Sequence, residues 1–301
     1  MKNMKTVAGM LCLAGILSLG MGTTVFAEDG DSHYPVTITT YNYENEPVEM
    51  TFEKAPEKVF AYANSNIEEL LALGLGDKIV AACGLDGDVR EDLKDEFDKI
   101  QYMDTKPSKE EVVAMEPDFI AAWYSSFDDD WLSDVSFWQE RDVNTYMSLN
   151  SAAKGPASEF PRTIEDEYED ILNLGKIFDC EDKAEEIVDQ MKGEIDKVKE
   201  HVEGTDPLSV AVLEDEGDSF RVYGTETLGG NIPETLGAEL KLGAENSENV
   251  GAEDLIAADP DVLFMINYDG FMTADEAIAD ITDNPAYASL SAVKNNKVFS
   301  V

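Results

Sequence analysis

One pattern of hydrophobic and polar positions occurs twice along the chain. Residues 108–123 read SKEEVVAMEPDFIAAW, and residues 251–266 read GAEDLIAADPDVLFMI. Asp118 of the first copy recurs as Asp261 of the second, 143 residues later. Each copy predicts an acidic helix, a Pro-Asp turn and a continuous apolar run, which is typical of a buried strand in a parallel sheet. The repetition predicts two similar α/β lobes with mainly parallel sheets.

The segments around these copies predict further elements of both kinds. Alternation of apolar and polar residues over 36–40 and 48–52 predicts a β-hairpin. A capped apolar stripe that ends at a glycine predicts a helix over 66–74. Other helices are predicted around 129–139 and 274–281, and other strands over 58–62, 78–82, 143–146, 208–213 and 297–301.

Residues 162–203 show helical periodicity and no strand pattern. Apolar residues from Ala184 to Val198 predict a helix of about 20 residues, which at about 1.5 Å per residue spans roughly 30 Å. Between two α/β units, such a helix is interpreted as one long rigid link. Ordinary packing of helices on a sheet is the alternative, and the sequence leaves it open.

The N-terminus has the pattern of a secretory signal peptide. Lys2 and Lys5 precede an apolar stretch over residues 7–25, and the small residue Ala27 follows. This order predicts export with cleavage after Ala27, and therefore an extracellular or periplasmic protein. An uncleaved membrane anchor is the alternative, although Gly, Thr and Ser interrupt the stretch.

The predicted elements divide the chain into a signal peptide, two lobes and a linking helix. The N-terminal lobe includes the hairpin at 36–52. Because the chain ends in a predicted strand, we expect the C-terminal lobe to lack a closing helix. The expected boundaries are 1–27 for the signal peptide, 28–180 and 206–301 for the lobes, and 181–203 for the linking helix.

The charge balance restricts the class of partner. The chain has 64 Asp and Glu residues against 22 Lys and Arg, a formal net charge of −42. Nucleic acid is excluded as a partner because its phosphates require a basic surface. Anionic membrane surfaces are disfavoured for the same reason. Cys83 and Cys180 are far apart in sequence, and we expect them to be free thiols.

Several motifs, taken in order, resemble one protein family. The segments KVFAY at 58–62, NIEELLALGLGDKIV at 66–80 and NPAYASLSAVKNNKV at 284–298 accompany the two Pro-Asp copies. Together they resemble the periplasmic binding proteins that serve ABC importers of ferric siderophores, haem and cobalamin. The resemblance implies that a metal chelate, above all a ferric siderophore, is captured between two lobes. It implies a binding protein without a cofactor of its own, and not an enzyme.

The resemblance also implies how the protein meets its partner, the permease dimer of an ABC importer. Family members dock through one surface glutamate in each lobe, and the matching motif positions here are Glu68 and Glu234. Glu69 competes with Glu68 for the first role. The alternative for each is an ordinary solvated glutamate near a helix start. We expect the protein to be a monomer.

Polar and aromatic residues at the predicted carboxyl ends of strands are the candidates for ligand binding. Ligands of parallel sheets bind beyond those ends, and large aromatic rings suit chelates, haem or corrins. The few arginines and the acidic background favour a neutral or weakly charged chelate, or a corrinoid. The candidates are Tyr62, Asn64, Trp123, Tyr124, Tyr146, Arg221, Tyr223, Asn231, Asn267 and Tyr268.

Two other functions fit the sequence less well. Binding of a bare metal ion usually takes several histidines. Only His33 and His201 are present, so no metal site is expected. An extracellular hydrolase would use a pair of carboxylates, and the best local cluster is Asp128–Asp130 beside Trp131. A capped helix start is the alternative interpretation of that cluster.

Overall fold

A short hairpin and two β-sheets with surrounding helices make up the described part of the chain. The computed structural model describes residues 33–151, 153–155, 157–243, 249–267 and 272–301. Residues His33–Val301 form one compact unit. The expected signal peptide and the candidate Tyr268 lie outside the described residues. Within those ranges, no helix is both long and apolar enough to cross a membrane.

The hairpin consists of β1 (Val36–Tyr41) and β2 (Pro47–Phe52), which pair antiparallel. Ile38 lies opposite Met50 in the register, and both side chains are buried. Thr37 on the other face is exposed, because successive side chains of a strand point to opposite faces. The hairpin therefore packs its apolar face on the rest of the fold.

The first sheet is entirely parallel, with the strand order β5-β4-β3-β6-β7. Val59 and Ala61 belong to one buried cluster and Phe60 to another. Both faces of the sheet are therefore covered, which explains the continuous apolar runs in its sequence. The strands are β3 (Val59–Tyr62), β4 (Ile79–Cys83), β5 (Tyr102–Met103), β6 (Phe119–Ala122) and β7 (Asn144–Met147).

Helices connect these strands, and one of them is shorter than the sequence predicts. The helix expected over 129–139 begins only at Val135, because the Asp134 carboxylate accepts the Ser136 N–H at 2.9 Å and caps it there. Ser133, just before, has a φ of 66°, which ends any earlier helix. The helices are α1 (Asn64–Ala72), α2 (Lys94–Phe97), α3 (Lys109–Ala114) and α4 (Val135–Gln139).

Two longer helices follow the first sheet, α5 (Ile164–Ile177) and α6 (Glu181–Val202). They pack closely, since a Cβ atom built on Gly175 would lie 2.5 Å from the Cβ of Ala184. Along α6, only Ala184 and Val188 are buried. The 22-residue helix thus rests on α5 at its start and is largely solvated beyond that.

The second sheet has the order β10-β8-β11-β12, with β9 paired antiparallel to β8 and the other pairs parallel. Its strands are β8 (Ser209–Asp215), β9 (Phe220–Val222), β10 (Glu239–Leu240), β11 (Val262–Ile266) and β12 (Val298–Ser300). Its helices are α7 (Leu228–Thr235), α8 (Ala252–Ala258), α9 (Ala274–Thr282) and α10 (Ser291–Lys294). The prediction of an α/β fold with mainly parallel sheets is confirmed.

The two repeated segments build the same local structure. The first forms α3 and β6, and the second forms α8 and β11. Glu116 and Asp259 occupy equivalent positions before the prolines, and both have left-handed backbones, with φ of 51° and 39°. Each repeat therefore ends its helix with the same turn and directs the following strand into the middle of a sheet.

Candidate functional site

A cavity of about 500 Å³ lies where strands of both sheets end. Trp123 follows β6, and Asn150 follows β7 by a few residues. On the side of the second sheet, Arg221 lies within β9 and Tyr223 directly follows it. On the side of the first sheet, this is the edge at which parallel α/β sheets bind ligands. On the side of the second sheet, the lining comes from the antiparallel strand β9 and the segment that follows it. The volume suits a small molecule.

Hydrogen bonds and ring contacts fix the aromatic wall of this cavity. The Trp123 indole Nε1–H donates to Ser65 Oγ at 3.0 Å, and the Tyr124 backbone N–H donates to Ser151 Oγ at 3.0 Å. The ring of Tyr43 stacks on that of Tyr124 with centroids 5.9 Å apart. These contacts hold two aromatic residues in place before any ligand arrives, which lowers the entropy cost of binding.

The opposite wall is polar and charged. Tyr223 Oη donates to Glu214 Oε2 at 2.8 Å, and the Arg221 guanidinium lies 3.8 Å from the same carboxylate. The Arg221 guanidinium carbon is also 5.4 Å from the Tyr223 ring centroid. The Arg221 side chain is 56% exposed, so it remains available to a ligand.

The electrostatics of the cavity differ from those of the whole chain. The charged residues among its described lining are Arg162, Arg221 and Glu226. The chain contains only four arginines, and two of them meet here on a protein of net charge −42. The cavity therefore presents two guanidinium groups on an otherwise acidic chain, with Glu226 in the lining and Glu214 3.8 Å from Arg221. A guanidinium is suited to the anionic oxygens of a ligand.

Several residues of this lining are not predicted from the sequence, among them Asn150, Ser151, Phe160 and Arg162. Arg162 reaches the cavity through a tertiary contact, because its backbone N–H donates to the Glu226 carbonyl at 2.9 Å. The rarity of arginine in so acidic a chain is the signal that would have selected it.

The prediction that Tyr146 contacts a ligand needs correction. Its side chain is only 1% exposed, and its hydroxyl donates to Asp170 Oδ1 at 2.7 Å inside the fold. Tyr146 lies within β7 and points away from the cavity into a buried cluster. A group so enclosed does not touch a ligand at the strand ends.

Other candidates lie near the cavity edge but are occupied by structural contacts. Tyr62 packs its ring behind Trp123, with centroids 6.1 Å apart. Asn64 Oδ1 accepts the Asp86 N–H at 2.6 Å. Asn231 Oδ1 accepts the Ile164 N–H at 3.0 Å, and Asn267 Oδ1 accepts the hydroxyl of Ser300. The structure brings Trp123, Tyr124, Arg221 and Tyr223 to the cavity, and not these four residues.

The candidate docking residues lie on helices outside the cavity. Glu68 is half-buried on α1, and its Oε1 accepts the Arg90 backbone N–H at 2.9 Å. Glu234 is exposed on α7. Glu69, the competitor of Glu68, is only 8% exposed, so it does not offer a surface carboxylate. Docking through Glu68 and Glu234 stays a prediction.

Asp128, in the carboxylate cluster considered for hydrolysis, has the wrong electrostatics for a general acid. Asp128 accepts the Asp130 backbone N–H at 2.7 Å. That hydrogen bond, together with one from the Tyr43 hydroxyl, lowers the pKa of the Asp128 carboxyl. A general acid in a glycosidase requires a raised pKa. The cluster instead stabilises the turn before α4.

Comparison with known proteins identifies the class to which this fold and cavity belong. Residues 59–301 match the profile of the family described as periplasmic binding protein. The chain belongs to this family. The resemblance inferred from its motifs is therefore confirmed.

Individual relatives agree with the family assignment. A periplasmic binding protein of known structure from Veillonella parvula DSM 2008 is 33% identical, with a TM-score of 0.81 over 89% of this chain and 84% of that chain. An uncharacterized ABC transporter substrate-binding lipoprotein, YvrC of Bacillus subtilis, is 23% identical over 100% of this chain and 90% of its own length. The Fe(3+)-citrate-binding protein YfmC of the same organism is 25% identical over 65% of this chain and 56% of its own length.

Family membership settles the general role. The chain is an exported substrate-binding protein that works with the permease of an ABC transporter, and it is not an enzyme. Its ligand is a small molecule, which agrees with the size of the cavity between the strand ends.

Proposed function

We propose that this protein captures a ferric chelate in the cavity lined by Trp123, Tyr124, Arg221 and Tyr223 and delivers it to an importer. The observation that carries the proposal is the convergence of two scarce arginines with aromatic rings at the strand ends. Aromatic faces provide apolar area for the organic part of a chelate. The arginines provide planar, permanently charged donors for carboxylate or catecholate oxygens.

The charge of the lining favours an anionic chelate over a neutral one. Carboxylate-rich ferric complexes carry negative charge at the oxygens that arginine recognises best. A relative named as a Fe(3+)-citrate-binding protein is in keeping with this class. The proposal thus replaces the preference for a neutral or weakly charged chelate, or a corrinoid, that the few arginines and the net charge suggested.

Binding is tested by titrating residues 28–301 with ferric citrate and following tryptophan fluorescence and heat. A ferric hydroxamate, a ferric catecholate, haem and cobalamin serve as competitors. We expect a ferric chelate to bind most tightly, with Arg221→Ala and Trp123→Ala each weakening it at least tenfold. Arg141→Ala is the matched control, because Arg141 lies outside the cavity against the ring of Phe137. Tightest binding of cobalamin or haem would contradict the proposal.

The proposed arrangement extends to the whole chain. Residues 1–27 would be removed on export, residues 28–180 and 206–301 would act as two lobes, and residues 181–203 would link them. The helix α6, which spans Glu181–Val202, supports this division. We propose that the protein acts as a monomer without nucleic-acid partners.

We propose that Glu68 and Glu234 dock the loaded protein on the permease dimer. Carboxylates on two sides of one binding protein would meet arginines of the permease at a fixed separation. Glu68→Arg and Glu234→Arg should abolish the stimulation of ATP hydrolysis by the reconstituted importer and leave chelate affinity unchanged. Glu200→Arg, an exposed site on α6, is the control. Full stimulation by both reversed variants would exclude these docking sites.

A further inference from the structure

Three carboxylates meet inside the fold, and none of them lines the ligand cavity. Glu69 of α1 and Glu167 and Asp170 of α5 have carboxylate oxygens that all lie within 4.8 Å of one another. Glu69 is 8% exposed, Asp170 is fully buried and Glu167 is half-buried. Close, buried carboxylates repel one another strongly unless something neutralises them.

The protein supplies no cation to this cluster among its described residues. No ion pair formed there includes Glu69, Glu167 or Asp170. A neighbouring cavity of about 670 Å³, lined by Glu69 and Glu167, does contain basic side chains. Those side chains pair with other carboxylates: Arg90 with Asp92, Lys183 with Glu186 and Lys197 with Glu194.

Unsatisfied oxygens at the same place point to a missing ligand. When the cluster is ionised, both carboxylate oxygens of Glu69 are buried without a hydrogen-bond donor among the described residues, and the group within hydrogen-bonding reach is another carboxyl, that of Glu167. Asn66 Oδ1, one helical turn earlier, is also buried without a donor there. Asn66 Nδ2 lies 3.3 Å from Ser148 Oγ, beside the segment whose Leu149 N–H donates to Asp170. Buried polar atoms without partners are rare in folded proteins. Here the unpartnered atoms are all oxygen acceptors, and oxygen atoms of this kind are what a hard cation binds.

We propose that Glu69, Glu167 and Asp170 bind a divalent cation and that Ca²⁺ is the ion they fit. Calcium takes oxygen ligands at about 2.3–2.6 Å in flexible geometry, so two ligands of one ion are at most about 5 Å apart. Each of the three carboxylates offers an oxygen that lies within 4.8 Å of the others, so the three oxygens satisfy that limit. The smaller Mg²⁺ demands a tighter octahedron.

Neighbouring groups already hold part of this arrangement in place. Asp170 accepts the Tyr146 hydroxyl at 2.7 Å and the Leu149 N–H at 2.9 Å, which fixes its carboxylate. Glu167 Oε2 accepts the Asn150 Nδ2–H at 2.9 Å. The cavity beside Glu69 and Glu167 gives an ion a path from solvent. Because Asn150 also lines the chelate cavity, the cation site would border the place where the ligand binds.

The pKa values of Glu69 and Asp170 are raised, as expected for buried carboxyls without a nearby positive charge. Burial, reinforced by the neighbouring carboxylates, raises the pKa of Glu69 well above its ordinary value. Burial also raises the pKa of Asp170, to about 7.

The test is a titration of EDTA-treated, dialysed protein with CaCl₂ at pH 7.5, followed by calorimetry and thermal unfolding. We expect one Ca²⁺ per chain, at least tenfold tighter binding than for Mg²⁺, and a rise in Tm of about 5 °C at saturating Ca²⁺. Glu69→Gln should weaken Ca²⁺ binding at least tenfold. The matched control Glu200→Gln removes one exposed carboxylate of α6 and should bind as the unaltered protein does.

Two further measurements keep the test decisive. Glu69→Gln keeps the shape of the side chain and removes its charge, so the variant should fold, and circular dichroism in EDTA checks this. Glu167→Gln takes its place if it does not fold. Tb³⁺, a luminescent substitute for Ca²⁺, should be sensitised by the nearby Tyr146 and displaced by Ca²⁺. Absence of Ca²⁺ binding up to 5 mM would overturn the proposal, and so would equal binding by Glu69→Gln. Neither result bears on the chelate, which is titrated separately.

Discussion

The carboxylate of Asp118 accepts the backbone N–H of Lys58 at 2.8 Å and ties the start of β3 to the turn before β6. It also accepts the Glu57 N–H at 3.0 Å. In the second repeat, Asp261 accepts the N–H and the hydroxyl of Ser209 at 3.0 and 2.8 Å, at the start of β8. The repeated Pro-Asp turn thus aligns two neighbouring parallel strands in each sheet.

Replacing Asp118 with alanine should destabilise the fold without altering the cavity. The change removes the acceptor of two backbone N–H groups at an exposed site, where water replaces it in part, so the cost is about 0.5–1.5 kcal/mol. Urea unfolding followed by circular dichroism measures the loss as a lower midpoint at unchanged slope.

An exposed aspartate provides the comparison for this change. Asp129→Ala removes an exposed carboxylate. It should change the free energy of unfolding by less than about 0.5 kcal/mol. If the two variants unfold at the same urea concentration, the anchoring role of Asp118 is wrong.

Two glycines in neighbouring helices should respond to alanine in opposite directions. At Gly175 of α5, a new Cβ would meet the Cβ of Ala184 at 2.5 Å, so alanine forces α5 and α6 apart and costs about 1–3 kcal/mol. At Gly193 of α6, nothing lies within 4 Å of the new atom. Alanine there should stabilise the helix by about 0.5–1 kcal/mol. Thermal unfolding of the two variants should show shifts of opposite sign, and a stabilised Gly175→Ala would refute the close packing of the two helices.

Asn231 separates a structural role from a ligand-binding role. Its Oδ1 accepts the Ile164 N–H at the start of α5, which is the kind of hydrogen bond that an N-cap provides. Asn231→Ala removes this bond and should lower the free energy of unfolding by about 1 kcal/mol. Ferric citrate affinity, measured by fluorescence titration, should change less than twofold because the side chain does not line the cavity. Tyr223→Ala, which alters the lining itself, is the comparison. A tenfold loss of affinity in Asn231→Ala would restore its place among the ligand contacts.

Local sequence signals are sufficient to predict the α/β architecture. The apolar runs, the Pro-Asp turns and the capping residues of the two repeats act over a few neighbouring residues, and they form the same helix–turn–strand unit twice. The helix predicted over 129–139 is too long, because its N-cap is Asp134 and not a residue of the acidic run at 128–130. The acidic run at 128–130 and Asp134 are both acceptable N-caps, and the local sequence pattern does not choose between them.

The candidate site was predicted only in part, for reasons of register and tertiary contact. Tyr146 was assigned to a strand end, but β7 continues to Met147, and within a strand each single position reverses the face. Its side chain consequently points to Asp170 and not to the ligand. Arg162 was missed because its position depends on Glu226, 64 residues further along the chain. The burial of Glu69 beside Glu167 and Asp170 likewise depends on how α1 meets α5.

Both thiols should be slow to react in the folded protein. Cys83 and Cys180 are free thiols, and burial raises the pKa of each to about 11, with Glu181 and Asp179 adding to the effect at Cys180. At pH 8 a thiol with a pKa of about 11 is about 0.1% thiolate, against about a quarter for an ordinary cysteine. Iodoacetamide labelling followed by mass spectrometry should therefore be at least a hundredfold slower than in urea-unfolded protein. The rate should rise about tenfold for each pH unit between 8 and 10, because the thiolate is the reactive form. Labelling of native Cys83 at the rate of the unfolded chain would show that β4 is not enclosed as described.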